Sequence, residues 1–271
     1  HIRGVGFSGG EPLMTFDRVV DYLHALMTRL SRPIHTWMYT NGILARKDKL
    51  KTLRDNGFRE IRFDLAANGY RLDALERAIG VIPIVTVEIP AIPEDLEKTS
   101  GLIRDLYNAG VDYLNLHQIR CTRFNRSKLA RRGYTFVHGS EATVLETELT
   151  ALKLIRHALE NNIDLPINYC SFTYRDQYQK AGARRRNARQ VKKEWEDITM
   201  TGFIRTMRLQ GEPHRIRQIA SRFPSGQADG AGWKISEKGD QIAFRSGLWR
   251  RVDFTGLRLK ITYSATATRS A

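Results

Sequence analysis

The sequence predicts an α/β fold with a small β-rich C-terminal part. In residues 1–171, short β-rich runs alternate with longer runs whose apolar residues recur at helical spacing. The connections between these runs are short, which favours parallel strands covered by helices, either a partial barrel or an open sheet. From about residue 198 the pattern changes to short strands joined by Gly-containing turns.

About six strand–helix units follow one another. The first helix carries its apolar residues on one face, and Gly57 and Gly110 end the second and fourth helices, because glycine readily takes the left-handed conformation after a helix. The predicted strands are Val5–Ser8, His35–Tyr39, Glu60–Leu65, Pro83–Ile89, Asp112–His117 and Pro166–Ser171. The predicted helices are Phe16–Leu30, Asp48–Asn56, Leu72–Ile79, Glu94–Ala109 and Glu141–Asn161.

Two basic segments interrupt this pattern. An insertion at 118–140 concentrates its Arg and Lys in 120–132 among aromatic residues, and a basic helix at 175–197 concentrates them in 175–193. We therefore expect two domains, a partial α/β barrel over 1–197 and a small β-rich domain over 198–271.

The composition excludes several classes of protein. The chain has 271 residues, a net charge of +15 and two cysteines, Cys121 and Cys170, too few for a disulfide-stapled domain or a cysteine-rich zinc site. No apolar run is long enough to span a bilayer, so we expect a cytoplasmic protein with no membrane contact. The excess of cations suits an anionic substrate, a nucleic acid or an acidic protein.

The sharpest motif is Gly9-Gly10-Glu11-Pro12, which follows Ser8 at the end of the first strand. Two glycines let the backbone approach a ligand closely, and Glu11 with nearby carbonyl oxygens could accept hydrogen bonds from an ammonium group. A phosphate-binding α/β barrel is a weaker alternative, because the Glu11 carboxylate would repel phosphate.

Other polar residues also follow predicted strand ends, where ligands gather in parallel α/β folds. Together with the first motif, Tyr39-Thr40-Asn41-Gly42 at the second strand end resembles the radical S-adenosylmethionine superfamily. The resemblance covers residues 1–171 and implies a partial barrel that binds S-adenosylmethionine. The implied cofactor-binding residues are Ser8, Gly9, Gly10, Glu11, Pro12, Thr40, Asn41, Asp64, Glu88 and His117.

The resemblance also implies a 4Fe-4S cluster held by a Cys-x3-Cys-x2-Cys loop, which this sequence does not contain. We expect the cluster ligands to lie upstream of His1, so that no metal ligand is in this chain and the chain alone is inactive. With the cluster and an electron donor, the complete enzyme would generate a 5′-deoxyadenosyl radical that abstracts hydrogen from a substrate.

Tyr169 and Cys170 are weak catalytic candidates, because the predicted strand end brings them near the barrel mouth. A buried structural role for the cysteine is the commoner outcome. An alternative function for the whole chain is a cluster-free barrel that binds RNA or another polyanion through its two basic segments.

Overall fold

The computed structural model describes residues 3–139, 141–224 and 232–265. The chain divides into two compact units, His1–Phe172 and Thr173–Ala271. The domain boundary predicted between residues 197 and 198 stays a prediction.

The first unit is built on an open sheet of six parallel strands in the order β1-β2-β3-β4-β5-β8, and a small hairpin, β6 with β7, lies outside it. This architecture confirms the predicted α/β class. The strands are β1 (Gly4–Phe7), β2 (His35–Thr40), β3 (Glu60–Phe63), β4 (Ile84–Pro90), β5 (Tyr113–His117), β6 (Phe136–Val137), β7 (Thr143–Val144) and β8 (Ile167–Cys170).

Helices connect consecutive strands of the sheet, as the periodicity predicts. The helix predicted from Glu141 begins only at Leu145, because Thr143 and Val144 pair with the preceding strand of the hairpin. The helices are α1 (Phe16–Arg29), α2 (Lys47–Asp55), α3 (Asp73–Ala78), α4 (Leu96–Ala109), α5 (Arg126–Ala130) and α6 (Leu145–Glu160).

The two faces of the parallel sheet differ in chemistry. One face is apolar: Met38, Ile61, Phe63 and Val87 are fully buried in a core shared with the helices. Because side chains alternate along a strand, the intervening residues lie on the opposite face, and most of them are polar or aromatic. That polar face consists of His35, Trp37, Tyr39, Glu60, Arg62, Thr86, Glu88, Asn115, His117, Asn168 and Cys170.

The second unit contains an antiparallel sheet in the order β11-β12-β10-β13, with β9 paired to β10. This sheet confirms the predicted β-rich C-terminal part, which also contains helices. The elements are α7 (Phe172–Tyr174, whose first residue is the last residue of the first unit), a π-helical segment (Arg175–Lys180), α8 (Ala181–Val191), β9 (Glu196–Ile198), β10 (Ile204–Gln210), α9 (Pro213–Ala220), β11 (Trp233–Ile235), β12 (Gln241–Phe244) and β13 (Arg258–Ser264).

Helix α9 closes a separate hydrophobic core on one face of this sheet. Its buried Ile216 and Ile219 belong to the same cluster as Leu209, Ile242 and Phe244. The opposite face therefore presents the alternate residues of the strands.

Candidate functional site

The loop after β1 has a backbone that only glycine adopts easily. Gly9 and Gly10 have φ angles of 97° and 61°, and apart from each glycine and its two chain neighbours no residue has a heavy atom within 4 Å of the position that a Cβ would occupy. The glycines are needed for the conformation, and the space beside them is open. Ser8 and Gly9 also line a groove of about 620 Å³ that runs along β1 and α1.

Glu11 joins the two sequence motifs. Its carboxylate accepts hydrogen bonds from the Thr40 hydroxyl at 2.8 Å and the Asn41 backbone N–H at 2.9 Å. The backbone N–H of Leu13 adds a third bond at 3.1 Å, and buried Pro12 starts the turn that follows. A carboxylate can accept about four hydrogen bonds. The motifs therefore form one structure with one acceptor position left on Glu11.

The turn after β2 is fixed by its own side chains. The Thr40 hydroxyl accepts from the Gly42 N–H at 3.0 Å, and the Asn41 side-chain oxygen accepts from the Ile43 N–H at 2.9 Å. Gly42 has φ 80°, and a Cβ there would lie 2.8 Å from the Cβ of Ala74. The exposed Asp64 is tied to this turn because its backbone N–H donates to the Thr40 carbonyl at 2.9 Å.

A chain of hydrogen-bonded ionisable side chains crosses the polar face of the sheet. Arg62 donates to Glu60 through Nε at 2.7 Å and to Glu88 through Nη1 at 2.8 Å. His35 Nε2 lies 2.5 Å from the second oxygen of Glu60, and His117 Nε2 is hydrogen-bonded to the second oxygen of Glu88. We call His35, Glu60, Arg62, Glu88 and His117 the charge chain.

Neighbouring polar and aromatic side chains complete this network. The guanidinium of Arg62 lies 5.2 Å from the ring centroid of Trp37 and 5.5 Å from that of Tyr39. Asn115 donates to Glu88 at 3.1 Å and accepts from Asn168 at 3.2 Å. The network therefore extends from β2 to β8.

The two glutamates of the charge chain stay ionised in a largely buried setting. Burial raises the pKa of Glu60, but hydrogen bonds from Arg62, His35 and Thr86 outweigh it, so the pKa lies below its ordinary value. Burial likewise raises the pKa of Glu88, and His117 and Arg62 lower it further than burial raises it. The same carboxylates raise the pKa of Arg62 against the effect of burial. The face thus offers two ionised carboxylates and the Arg62 guanidinium, and the two histidines are the most accessible side chains of the charge chain.

The predicted catalytic candidates lie on opposite faces of β8. Tyr169 packs against the apolar core, and its buried hydroxyl has no hydrogen-bond partner among the described residues. Burial and the charge of Glu148 raise its pKa. Cys170 pairs in register with His117, so it lies on the polar face, where it is buried. Of the two, only Cys170 shares a face with the charge chain.

The basic segments are partly neutralised inside the protein. In the insertion, Arg120 pairs with Glu141 and Arg132 with Glu94, each at 3.3 Å. In α8, Arg184 pairs with Asp176 at 3.3 Å. These cations hold the local structure together.

Sequence reasoning missed His35, Glu60, Arg62 and Asn115 as site residues. The signal was present: polar residues alternate with apolar ones in strands that the motifs place side by side. Motif reading alone overlooks them, because they lie at the starts of strands (His35, Glu60) or inside them (Arg62, Asn115) and not at the carboxyl ends. Glu88 also lies inside β4, short of its end at Pro90.

Within residues 3–139, 141–224 and 232–265, no three His, Cys, Asp or Glu side chains lie together in a way that could hold a metal ion. The residues present therefore do not fit an iron–sulfur cluster. Across the same described ranges, no helix has the length and apolar character required to cross a bilayer.

The chain is similar to a curated protein of Methanocaldococcus jannaschii described as "Putative glycyl-radical enzyme activating enzyme". The two are 28% identical over 212 residues, which cover 74% of this chain and 55% of the relative. The chain thus spans about half the length of the relative it matches. No protein-family model matches the sequence. The similarity supports the superfamily resemblance drawn from the two glycine-containing motifs.

Proposed function

We propose that this chain is the S-adenosylmethionine-binding part of a radical S-adenosylmethionine enzyme. The observation that carries the proposal is the Glu11 junction, which joins Gly9-Gly10-Glu11-Pro12 to Thr40-Asn41-Gly42 through two hydrogen bonds. This agrees with the resemblance of both motifs and with the name of the archaeal relative.

The residues around the junction would hold the methionine end of the ligand. The free acceptor position of Glu11 and the carbonyls near Gly9 and Gly10 suit an α-ammonium group, and the groove beside Ser8 leaves room for it. Asn41 and Asp64 would contact the methionine or ribose. S-adenosylmethionine would supply, on one-electron reduction, a 5′-deoxyadenosyl radical.

The charge chain would hold the nucleoside end. Glu88 already accepts from Arg62, Asn115 and His117, which leaves about one acceptor position for a ribose hydroxyl. The side chain of His117 is 32% exposed, so it can pack near the adenine. The role of Arg62 and Glu60 would be to keep these two groups fixed in position and charge.

The cluster would have to come from residues outside this chain. We propose that its three cysteines precede His1 in the complete protein, which accords with the 55% coverage of the relative. We further propose, from the relative's name, that the substrate is a protein of the glycyl-radical enzyme class. An electron donor is the other partner that this function requires.

Calorimetric titration of the chain with S-adenosylmethionine tests the binding site. Gly10→Ala should weaken binding at least tenfold, because a Cβ disfavours φ 61° in the loop that contacts the ligand. Gly80→Ala is the matched control, since Gly80 has φ 74° with equally open surroundings but lies at the end of α3. Equal weakening by both changes would contradict the assigned site.

The reaction is tested on the full-length protein, reconstituted anaerobically with iron and sulfide. Reduction in the presence of S-adenosylmethionine should release 5′-deoxyadenosine. A full-length protein that forms no cluster would contradict the proposed enzyme function.

A further inference from the structure

The positive charge of the protein is concentrated in its C-terminal unit. Residues 173–271 contain 21 Lys and Arg against 9 Asp and Glu, so they carry +12 of the net +15. In the described part of this unit, Arg184, Arg205 and Arg215 pair with Asp176, Asp197 and Asp253. Because the unit has 21 cations and 9 carboxylates, most of its cations cannot form a one-to-one ion pair within it.

Three of these cations form a row across the antiparallel sheet. Lys234 pairs in register with Ala243, Ala243 with Arg208, and Arg208 with Lys260. Directly opposed residues of antiparallel strands share a face, with neighbouring strands about 5 Å apart. Lys234, Arg208 and Lys260 are all exposed. We call these three residues the basic row.

The basic row lies on the face that α9 leaves uncovered. The alternate residues Met207, Leu209, Ile242 and Phe244 are buried on the α9 side. The row itself has no ion pair with any described carboxylate, and exposed Arg258, opposite Gln210, adds a fourth cation to the face. Like charges placed directly opposite each other destabilise a sheet. A bound polyanion would relieve this repulsion.

A small cleft adjoins the row. It has a volume of about 250 Å³ and is lined by Trp195, Arg208, Lys234, Gln241 and Ala243, among others. The ammonium group of Lys234 lies 5.2 Å from the Trp195 ring centroid. The cleft is smaller than pockets that enclose drug-sized ligands, and it suits one planar base. An aromatic ring beside cations is the arrangement that binds unpaired bases by stacking.

We propose that this sheet face binds single-stranded nucleic acid, with phosphates on the basic row and Arg258 and one base against Trp195. A duplex keeps its bases stacked internally and so cannot use the cleft. A membrane surface is disfavoured because the apolar side chains Leu209, Ile242 and Phe244 are buried on the opposite face. The face lies outside the parallel sheet that carries the proposed S-adenosylmethionine site, so the two assignments are independent.

The test is fluorescence anisotropy of the full chain with labelled oligouridylate and oligothymidylate of about 12 nucleotides. We expect dissociation constants in the micromolar range at physiological salt. Four phosphate contacts predict a slope of log affinity against log salt of about −2.8, and Arg208→Gln with Lys260→Gln should reduce it to about −1.4. Trp195→Ala should weaken binding at least about fivefold, and Trp195→Phe should retain most of it.

The matched control is Arg217→Gln with Arg222→Gln, which removes the same charge from exposed positions on α9 and directly after it. Near-wild-type binding by this control, together with weaker binding of a 12-base-pair duplex, would support the proposal. The proposal would be overturned by an equal loss of affinity in both double variants or by an affinity that does not change with salt. Tighter binding to vesicles of phosphatidylcholine and phosphatidylserine than to the oligonucleotides would also overturn it.

Discussion

At the scale of single residues, Arg62 has the most connections on the polar face of the parallel sheet. It donates to two buried carboxylates and packs beside two aromatic rings, with a side chain only 22% exposed. Buried carboxylates are tolerated when a cation and hydrogen bonds compensate for lost hydration. Removing Arg62 would leave both glutamates without that cation.

Arg62→Met should therefore lower the free energy of unfolding by about 3–5 kcal/mol at neutral pH. Urea denaturation followed by circular dichroism measures the change. The exposed Arg59, directly before β3, is the control, and Arg59→Met should change stability by less than about 0.5 kcal/mol. A similar loss of stability in both variants would show that the ion pairs of Arg62 with Glu60 and Glu88 are not the cause.

The same residues predict a pH dependence. Glu60 and Glu88 have folded-state pKa values below their ordinary 4.5, so the stability they contribute is present above that pH and is lost as the pH falls through the lowered values. In Arg62→Met, burial should raise both pKa values instead. The variant should thus lose less stability than the wild type between about pH 5 and pH 3, as measured by urea midpoints.

At Gly42, the addition of a single carbon atom should lower stability. A Cβ there meets the Ala74 Cβ at 2.8 Å in addition to the strained φ of 80°. Gly42→Ala should lower the free energy of unfolding by about 2–4 kcal/mol. Gly80→Ala should lower it by about 1–2 kcal/mol, because Gly80 has the strained φ without the close contact. Guanidinium chloride midpoints of the two variants separate the steric effect from the conformational one.

At the scale of elements, α8 uses one of its arginines as an internal anchor. Arg184 donates to the Thr201 carbonyl at 2.8 Å, pairs with Asp176, and lies 4.9 Å from the ring centroid of Phe203. Gly202 packs so closely that a Cβ would lie 2.6 Å from the Cβ of Arg184. At least one arginine of this helix therefore stabilises the fold and is not available to bind a partner.

Arg184→Ala should lower the stability of the C-terminal unit by about 2–4 kcal/mol, because Asp176 loses its ion-pair partner and the Phe203 ring loses the side chain that packs on it. Arg185→Ala is the control on the exposed neighbour and should be nearly neutral. Hydrogen exchange of β9 and β10 reports the difference. Equal hydrogen-exchange protection in the two variants would show that Arg184 does not stabilise this unit.

Element prediction from the sequence succeeded where periodicity is long and failed where elements are short. Helices such as α1 and α4 carry three or more turns of apolar pattern, and the strands between them are bounded by turns. The hairpin β6–β7 and the eight-residue α9 are too short to show a period. In the C-terminal part, where the sequence predicts short strands joined by turns, residues 246–251 form a 3-10 helix and the last strand begins only at Arg258.

At the scale of the whole molecule, the two units have separate hydrophobic cores and very different charge. The alternation of strands and helices was predictable, because it depends on local periodicity, whereas the assignment of the motif residues to a binding site stays a prediction. The charge chain and the basic row were not predictable, because each exists only when the register between distant strands is known.

The uneven charge predicts an uneven response to salt. Repulsion among unpaired cations opposes folding of the C-terminal unit, and salt screens it. Raising sodium chloride from about 0.02 M to about 0.3 M should increase hydrogen-exchange protection in β10 and β13 more than in β3 and β4. A uniform change across both units would contradict this.

Ala243 affects the shape of the cleft beside Trp195 and not its charge. It stands between Lys234 and Arg208 in the register of the sheet, and its single methyl group forms part of the floor of the cleft beside Trp195. The depth of that cleft therefore depends on one side chain, and a leucine at this position would fill it while leaving every cation in place. The protein would then keep its attraction for a phosphate backbone and lose the recess that receives a base, so affinity and base preference could be varied separately.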